Sequence, residues 1–173
     1  ASVEDMDHDG RLDLYVPSLG YAVPVSGTML VCASSYQRVQ AATKIVQDLN
    51  ALGFDLTLKS VDYEEYLTLL RAGNFDLYYG EVRLSPNFDL SPFFQSGGSL
   101  TYGALADTTM QSLCNRMLVN SGNSYNLYQR LCDRGYLTPV MFKNYAVYTT
   151  RGSVTEPARY IDWLLPAPET VTD

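Results

Sequence analysis

An alternation of two periodicities between Thr28 and Val82 constrains the fold more than any other feature. "TMLVCAS" is a short apolar run of the kind a strand buried on both faces requires. Ser34 or Ser35 then stands where a helix cap belongs. Val39, Ala42, Ile45, Val46, Leu49 and Leu52 recur at helical spacing, and Gly53 stops them. "FDLTLKSV" switches to a period of two, with Phe54, Leu56 and Leu58 on one face of a strand. The cycle repeats. Asp62 and Glu65 make a D-x-x-E capping box, Tyr66, Leu67, Leu69 and Leu70 carry the apolar face, and Gly73 is the stop. "FDLYYGEV" is the third strand. Strand, helix, strand, helix, strand in this order predicts an α/β fold with a parallel sheet and right-handed crossovers. Ligands on such sheets sit beyond the carboxyl ends of the strands, which points to the segment after Tyr79.

The flanks are less regular. Residues 1–27 form an acidic turn and an irregular segment punctuated by Pro17, Gly20, Pro24 and Gly27, with "RLDLYV" as a strand. Residues 83–106 are rich in Ser, Pro, Gly and aromatics, and connections this long in compact domains are usually functional. Two helices follow. Met110, Leu113, Cys114, Met117 and Leu118 give one stripe, and Leu127, Tyr128, Leu131 and Cys132 the other. "PVMFKNYAVYTTRG" reads as extended, and "YIDWLLP" as a short packed segment near the end.

Bulk properties exclude several classes. A formal net charge of −7 with scattered Lys and Arg argues against nucleic acid and against an anionic membrane surface. No run reaches the roughly 18 apolar residues of a membrane helix. The acidic N-terminus lacks the apolar core of a signal peptide. The only histidine, His8, lies in the acidic turn, and GxSxG, GxGxxG and P-loop signatures are absent, so enzyme readings fare poorly. Three cysteines without a CxxC make a zinc site untenable. Cys114 and Cys132 lie on inward stripes of neighbouring helices, so a disulfide and two buried thiols both fit.

Asp5, Asp7, Asp9, Gly10 and Asp13 have the spacing that opens a calcium loop. Val16 stands where the bidentate Glu of that loop belongs, and no helix precedes it. The stretch is read as a hydrated turn feeding a strand, with no metal and no cofactor expected.

One longer pattern resembles a known family. "VQDLNALGFDLTLKSVDYEEYLTLLRAGNFDLYYGEV", then "PNFDLSPFF", two helices and "YLTPVMFKNYAVYTTRGSV", resembles the second lobe of the extracellular solute-binding proteins of the peptide, oligopeptide and nickel class of ABC importers. The resemblance spans residues 28–155, leaving 156–173 as a C-terminal tail. It implies a periplasmic-binding-protein-like lobe whose partners are a small-molecule or peptide ligand, the first lobe of the same protein and a membrane permease. It also implies a protein that is not an enzyme, placed outside the cell or in the periplasm and lipid-anchored when intact. The ligand residues it points to are Tyr79, Glu81, Arg83, Ser85, Asn87, Phe88, Asp89 and Tyr102. Peptide-binding members carry a Trp and then an Asp for the ligand's α-amino group; here Val82 and Ser85 stand at those places. Arg83 offers a charge suited to a carboxylate or phosphate instead. The competing reading is the ligand-sensing lobe of a transcriptional regulator.

Overall fold

A computed structural model describes residues 3–142, apart from 86, 104, 121 and 123. The expected extended stretch "PVMFKNYAVYTTRG" is described only as far as Phe142; its remainder and the segment "YIDWLLP" lie outside the described residues. The chain divides into two units, Ala1–Arg83 with Leu100–Ala106, and Leu84–Ser99 with Asp107–Asp173.

The first unit is built on the predicted alternation. Strand β4 (Ser26–Cys32) lies between β5 (Asp55–Val61) and β6 (Leu77–Tyr79), parallel to both. Helices α1 (Tyr36–Ala51) and α2 (Tyr63–Ala72) connect them. Successive side chains of a strand point to opposite faces, and β4 uses both. Met29 and Val31 pack with Ala42 and Val46 of α1, whereas Leu30 and Cys32 pack with Tyr66 and Leu70 of α2. That is why the β4 run is apolar without interruption.

Polar side chains fix this arrangement. The Asp76 carboxylate accepts the Thr28 N–H at 2.7 Å, so the "FD" of the third strand locks β6 onto β4. Any side chain at Gly27 would meet Asp76 at 3.0 Å. Asn50 mimics a strand partner: its Nδ2 donates to Leu56 O at 2.9 Å and its Oδ1 accepts Leu56 N–H at 2.8 Å. Asp62 caps α2 by accepting the Glu65 N–H at 2.9 Å, and the Glu65 carboxylate pairs with Lys59. Gly73 ends α2 in the left-handed region at φ 72°, as the αL cap requires.

A second sheet joins β1 (Val3–Glu4), β2 (Asp13–Val16) and β3 (Tyr21–Pro24) in antiparallel order. The sequence marked β2 as a strand and left residues 21–24 irregular. Pro24 hides β3 from pattern reading, but β3 is an edge strand, where a missing N–H costs nothing. The stripe of α1 ends earlier than expected: Leu52 is its C-cap and is 68% exposed.

Among its described residues the second unit has the helices α3 (Ser91–Phe94), α4 (Thr108–Val119) and α5 (Ser124–Arg134). Phe93, Phe94, Met110, Cys114, Leu127 and Leu131 are buried. Leu118, Tyr128 and Cys132, expected on the inward stripes, are exposed. Cys114 and Cys132 are both free thiols: Cys132, one position past buried Leu131, turns to solvent, so the two cannot meet. Burial and then the nearby Asp89 charge push the Cys114 thiol up to about 11, which leaves it an inert core residue. No helix among the described residues is long and apolar enough to cross a membrane.

Candidate functional site

In the first unit the candidate site is the edge where three parallel strands end together, at Cys32, Val61 and Tyr79. Ala33 N–H donates to Val61 O at 2.7 Å, tying two of the ends to each other. Ser35 then caps α1, its hydroxyl accepting the Arg38 N–H. Tyr36 opens α1 at 69% exposure, with its hydroxyl held by Gln40 Nε2 at 2.5 Å. Tyr63 opens α2 at 57% exposure. Arg38 donates through Nε and Nη2 to Glu81 Oε2 at 3.1 Å, so the first turn of α1 grips the chain two residues beyond β6.

The rings beneath this edge are packed. Tyr66 donates its hydroxyl to Tyr79 O at 3.1 Å. Burial first, then neighbouring Tyr78, hold the Tyr66 hydroxyl well above its usual range, so it stays a neutral donor. Burial and Tyr102 raise Tyr78 as well. Tyr102 meets Tyr78 edge-on at 6.0 Å, and Tyr78 meets Phe75 edge-on at 5.1 Å, both favoured ring geometries. Gly80 permits this crowding, since a Cβ there would sit 3.1 Å from the Tyr78 ring.

The expected ligand residues divide between the units. Tyr79, Glu81, Arg83 and Tyr102 fall in the first, where Glu81 and Arg83 are exposed and the two tyrosines are partly buried against the core. Ser85, Asn87, Phe88 and Asp89 fall in the second and form one tight turn. There the Ser85 hydroxyl donates to Asn87 Oδ1 at 2.6 Å, and Phe88 N–H donates to Ser85 O at 2.9 Å. Asp89 accepts the Ser91 N–H at 2.8 Å at the start of α3. Phe88 is 57% exposed at φ 54°, a left-handed conformation that bulky residues rarely adopt. Tyr36, Arg38 and Tyr63 stand at the same edge outside the sequence-based set; the strand-end rule points to them after β4 and β5 as it points to Glu81 and Arg83 after β6.

The acidic turn is knitted by its own backbone. Asp5 accepts from Asp9 and Gly10 N–H, Asp9 from Arg11 N–H, and buried Asp13 from Met6 N–H at 3.1 Å. Carboxylate oxygens of Asp5, Asp7 and Asp13 come within 4.8 Å of one another.

No family model matches this sequence, and no curated protein matches it. Solved structures do. The chain is similar to the oligopeptide-binding protein AppA from Bacillus subtilis, solved with a nonapeptide: 18% identity, TM-score 0.62, covering 78% of this chain and 28% of that one. It is similar to the periplasmic binding protein MelB from Agrobacterium fabrum C58, solved with stachyose: 18% identity, TM-score 0.53, covering 70% and 20%. It is also similar to a nickel ABC transporter from Bacillus halodurans: 14% identity, TM-score 0.53, covering 66% and 26%. The fold is periplasmic-binding-protein-like. This chain therefore spans between 20% and 28% of the length of these three proteins. A nonapeptide complex, a stachyose complex and a nickel transporter on one fold leave the ligand to be argued from the site.

Proposed function

We propose that this chain is one lobe of a substrate-binding protein that captures a small solute outside the cell and delivers it to an ABC permease. The observation that carries the reading is the likeness to AppA over 78% of the chain, on a sheet whose carboxyl edge is open to solvent at Tyr36 and Tyr63. A peptide is the proposed ligand. Exposed tyrosines offer flat apolar contact with a polar tip, and the Arg38–Glu81 pair offers charges of both signs to a chain of amides. In the first unit the proposed contacts are Tyr79, Glu81, Arg83 and Tyr102, joined by Tyr36 and Tyr63. Ser85, Asn87, Phe88 and Asp89 form a separate proposed set in the second. Capture works through differential affinity: a ligand that bridges two lobes shifts the open–closed equilibrium toward closure. The intact protein would be anchored by lipid at the cell surface.

A thermal-shift screen of the intact two-lobe protein against peptide pools, oligosaccharides and nickel chelates tests this. A saturable rise in melting temperature with a peptide pool supports the assignment. A rise with sugars or chelates alone removes the peptide but keeps the capture role, and no rise with any class removes both.

A further inference from the structure

Strand β6 is three residues long, whereas β4 and β5 each have seven. Its pairing with β4 runs from Leu77 opposite Met29 to Tyr79 opposite Val31. At Tyr79 the chain leaves the sheet and carries Glu81 and Arg83 with it. Gly80 follows at once, and a glycine leaves the backbone the widest choice of direction. The course of this segment is therefore set by contacts from other elements.

Two helices on opposite faces of the sheet supply such contacts. From α1, Arg38 Nε and Nη2 donate to Glu81 Oε2 at 3.1 Å. From α2, the Tyr66 hydroxyl donates to Tyr79 O at 3.1 Å. These holds differ in stiffness. The Tyr66 ring is 8% exposed and packs with Leu30, Cys32 and Leu70, and close packing fixes a buried ring. A Cβ on residue 80 would lie 3.4 Å from the Tyr66 hydroxyl oxygen, so the turn passes close against the phenol. Arg38 and Glu81 are two long, half-exposed side chains, and such a pair holds its geometry weakly. The phenol is the firm hold, and the ion pair forms where the phenol has set the chain.

We propose that Tyr66 is a positioning residue of the capture site: by fixing the carbonyl of Tyr79, it places Glu81 against Arg38 at the strand-end edge. Being buried, Tyr66 acts through Glu81 and not by touching the ligand. The role rests on peptide capture at this edge and adds the buried group that sets its geometry.

The test uses the intact two-lobe protein. Calorimetry reads the affinity for a peptide pool, and nitrogen-edited NMR without ligand reads the Arg38 Nε–H signal. Tyr66→Phe keeps the ring and removes the hydroxyl. It should weaken binding about threefold to tenfold, the scale of one hydrogen bond, and make the Arg38 signal shift and exchange faster. Tyr78→Phe removes a neighbouring hydroxyl from the same ring cluster and should leave both readings at wild-type values. In an Arg38→Ala background, Tyr66→Phe should cost less than about twofold, because both residues act on one segment. Where the wild type binds, unchanged affinity in Tyr66→Phe overturns the proposal. So does an unmoved Arg38 signal, an equal loss in Tyr78→Phe, or full additivity with Arg38→Ala. No binding of peptide by the wild type overturns the capture reading instead, and the Arg38 signal then decides alone whether Tyr66 holds Glu81 in place.

Discussion

The two units hold themselves together by different means. The first hangs on one strand, β4, whose side chains fill two cores at once. The second shows three helices among its described residues, and four donors there converge on one carboxylate, Asp107. A double-sided apolar strand is stabilised by area removed from water and is indifferent to pH. A carboxylate node is stabilised by charge and hydrogen bonds, and it titrates.

Breaking the strand should have the largest effect. Leu30 is fully buried against α2, and Leu30→Ala should cost about 2–5 kcal/mol in chemical denaturation, from lost transfer energy and the cavity left behind. A cost below that range would mean that this core collapses readily around the gap.

Breaking the node comes next. Asp107→Ala removes the α4 cap and strands Arg130 and Tyr136, for about 2–3 kcal/mol in the second unit. Asp107→Asn keeps a capping oxygen and should cost less. Hydrogen exchange of the α4 and α5 amides separates these outcomes from any change in the parallel sheet. The same node gives a pH signature. Burial alone would raise the Asp107 carboxyl, but the Met110 N–H, Arg130, Tyr136 and the Thr109 N–H outweigh it and hold it at about 2, below its ordinary 3.8. A depressed carboxyl contributes stability above its unfolded value and loses it as pH falls through the folded one. Protection of α4 and α5 should therefore hold down to about pH 4 and fall toward pH 2. Loss of that protection already near neutral pH would remove Asp107 from its central role.

Smaller changes probe the candidate contacts. Phe88→Gly relieves a left-handed aromatic and should stabilise by up to about 1 kcal/mol, offset by the added freedom of the unfolded chain. If Phe88 touches ligand, the same change weakens binding, so stability and affinity move in opposite directions. Arg38→Ala opens the half-exposed pair with Glu81 and should change stability by less than about 1 kcal/mol, so any large loss of affinity would come from the edge itself.

Much of the first unit was legible because its signals were local. Ser35, Asp62 and Gly73 fall where capping chemistry demands, and the apolar run of β4 matches a strand covered on both faces. What escaped depended on pairing. β3 carries Pro24 and follows Gly20, so its strand character exists only because β2 offers a partner on one side. Cys132 follows a buried leucine on a regular stripe, and only the packing of α5 shows which side of that stripe meets solvent. The geometry of the candidate site was half legible. The strand-end rule located Glu81, and its Arg38 partner lies 43 residues earlier, a pairing the parallel topology creates. Asp107 stood in the sequence as an ordinary loop residue, because its four donors come from three separate stretches of chain.

Calorimetric titration of one peptide pool into the intact protein and, separately, into the 173-residue chain tests the central claim most directly. If the chain is one lobe of a solute trap, the intact protein binds saturably and the chain alone binds weakly, because half of the contacts are missing. Sub-micromolar binding by the chain alone, or no binding by the intact protein, would contradict the account.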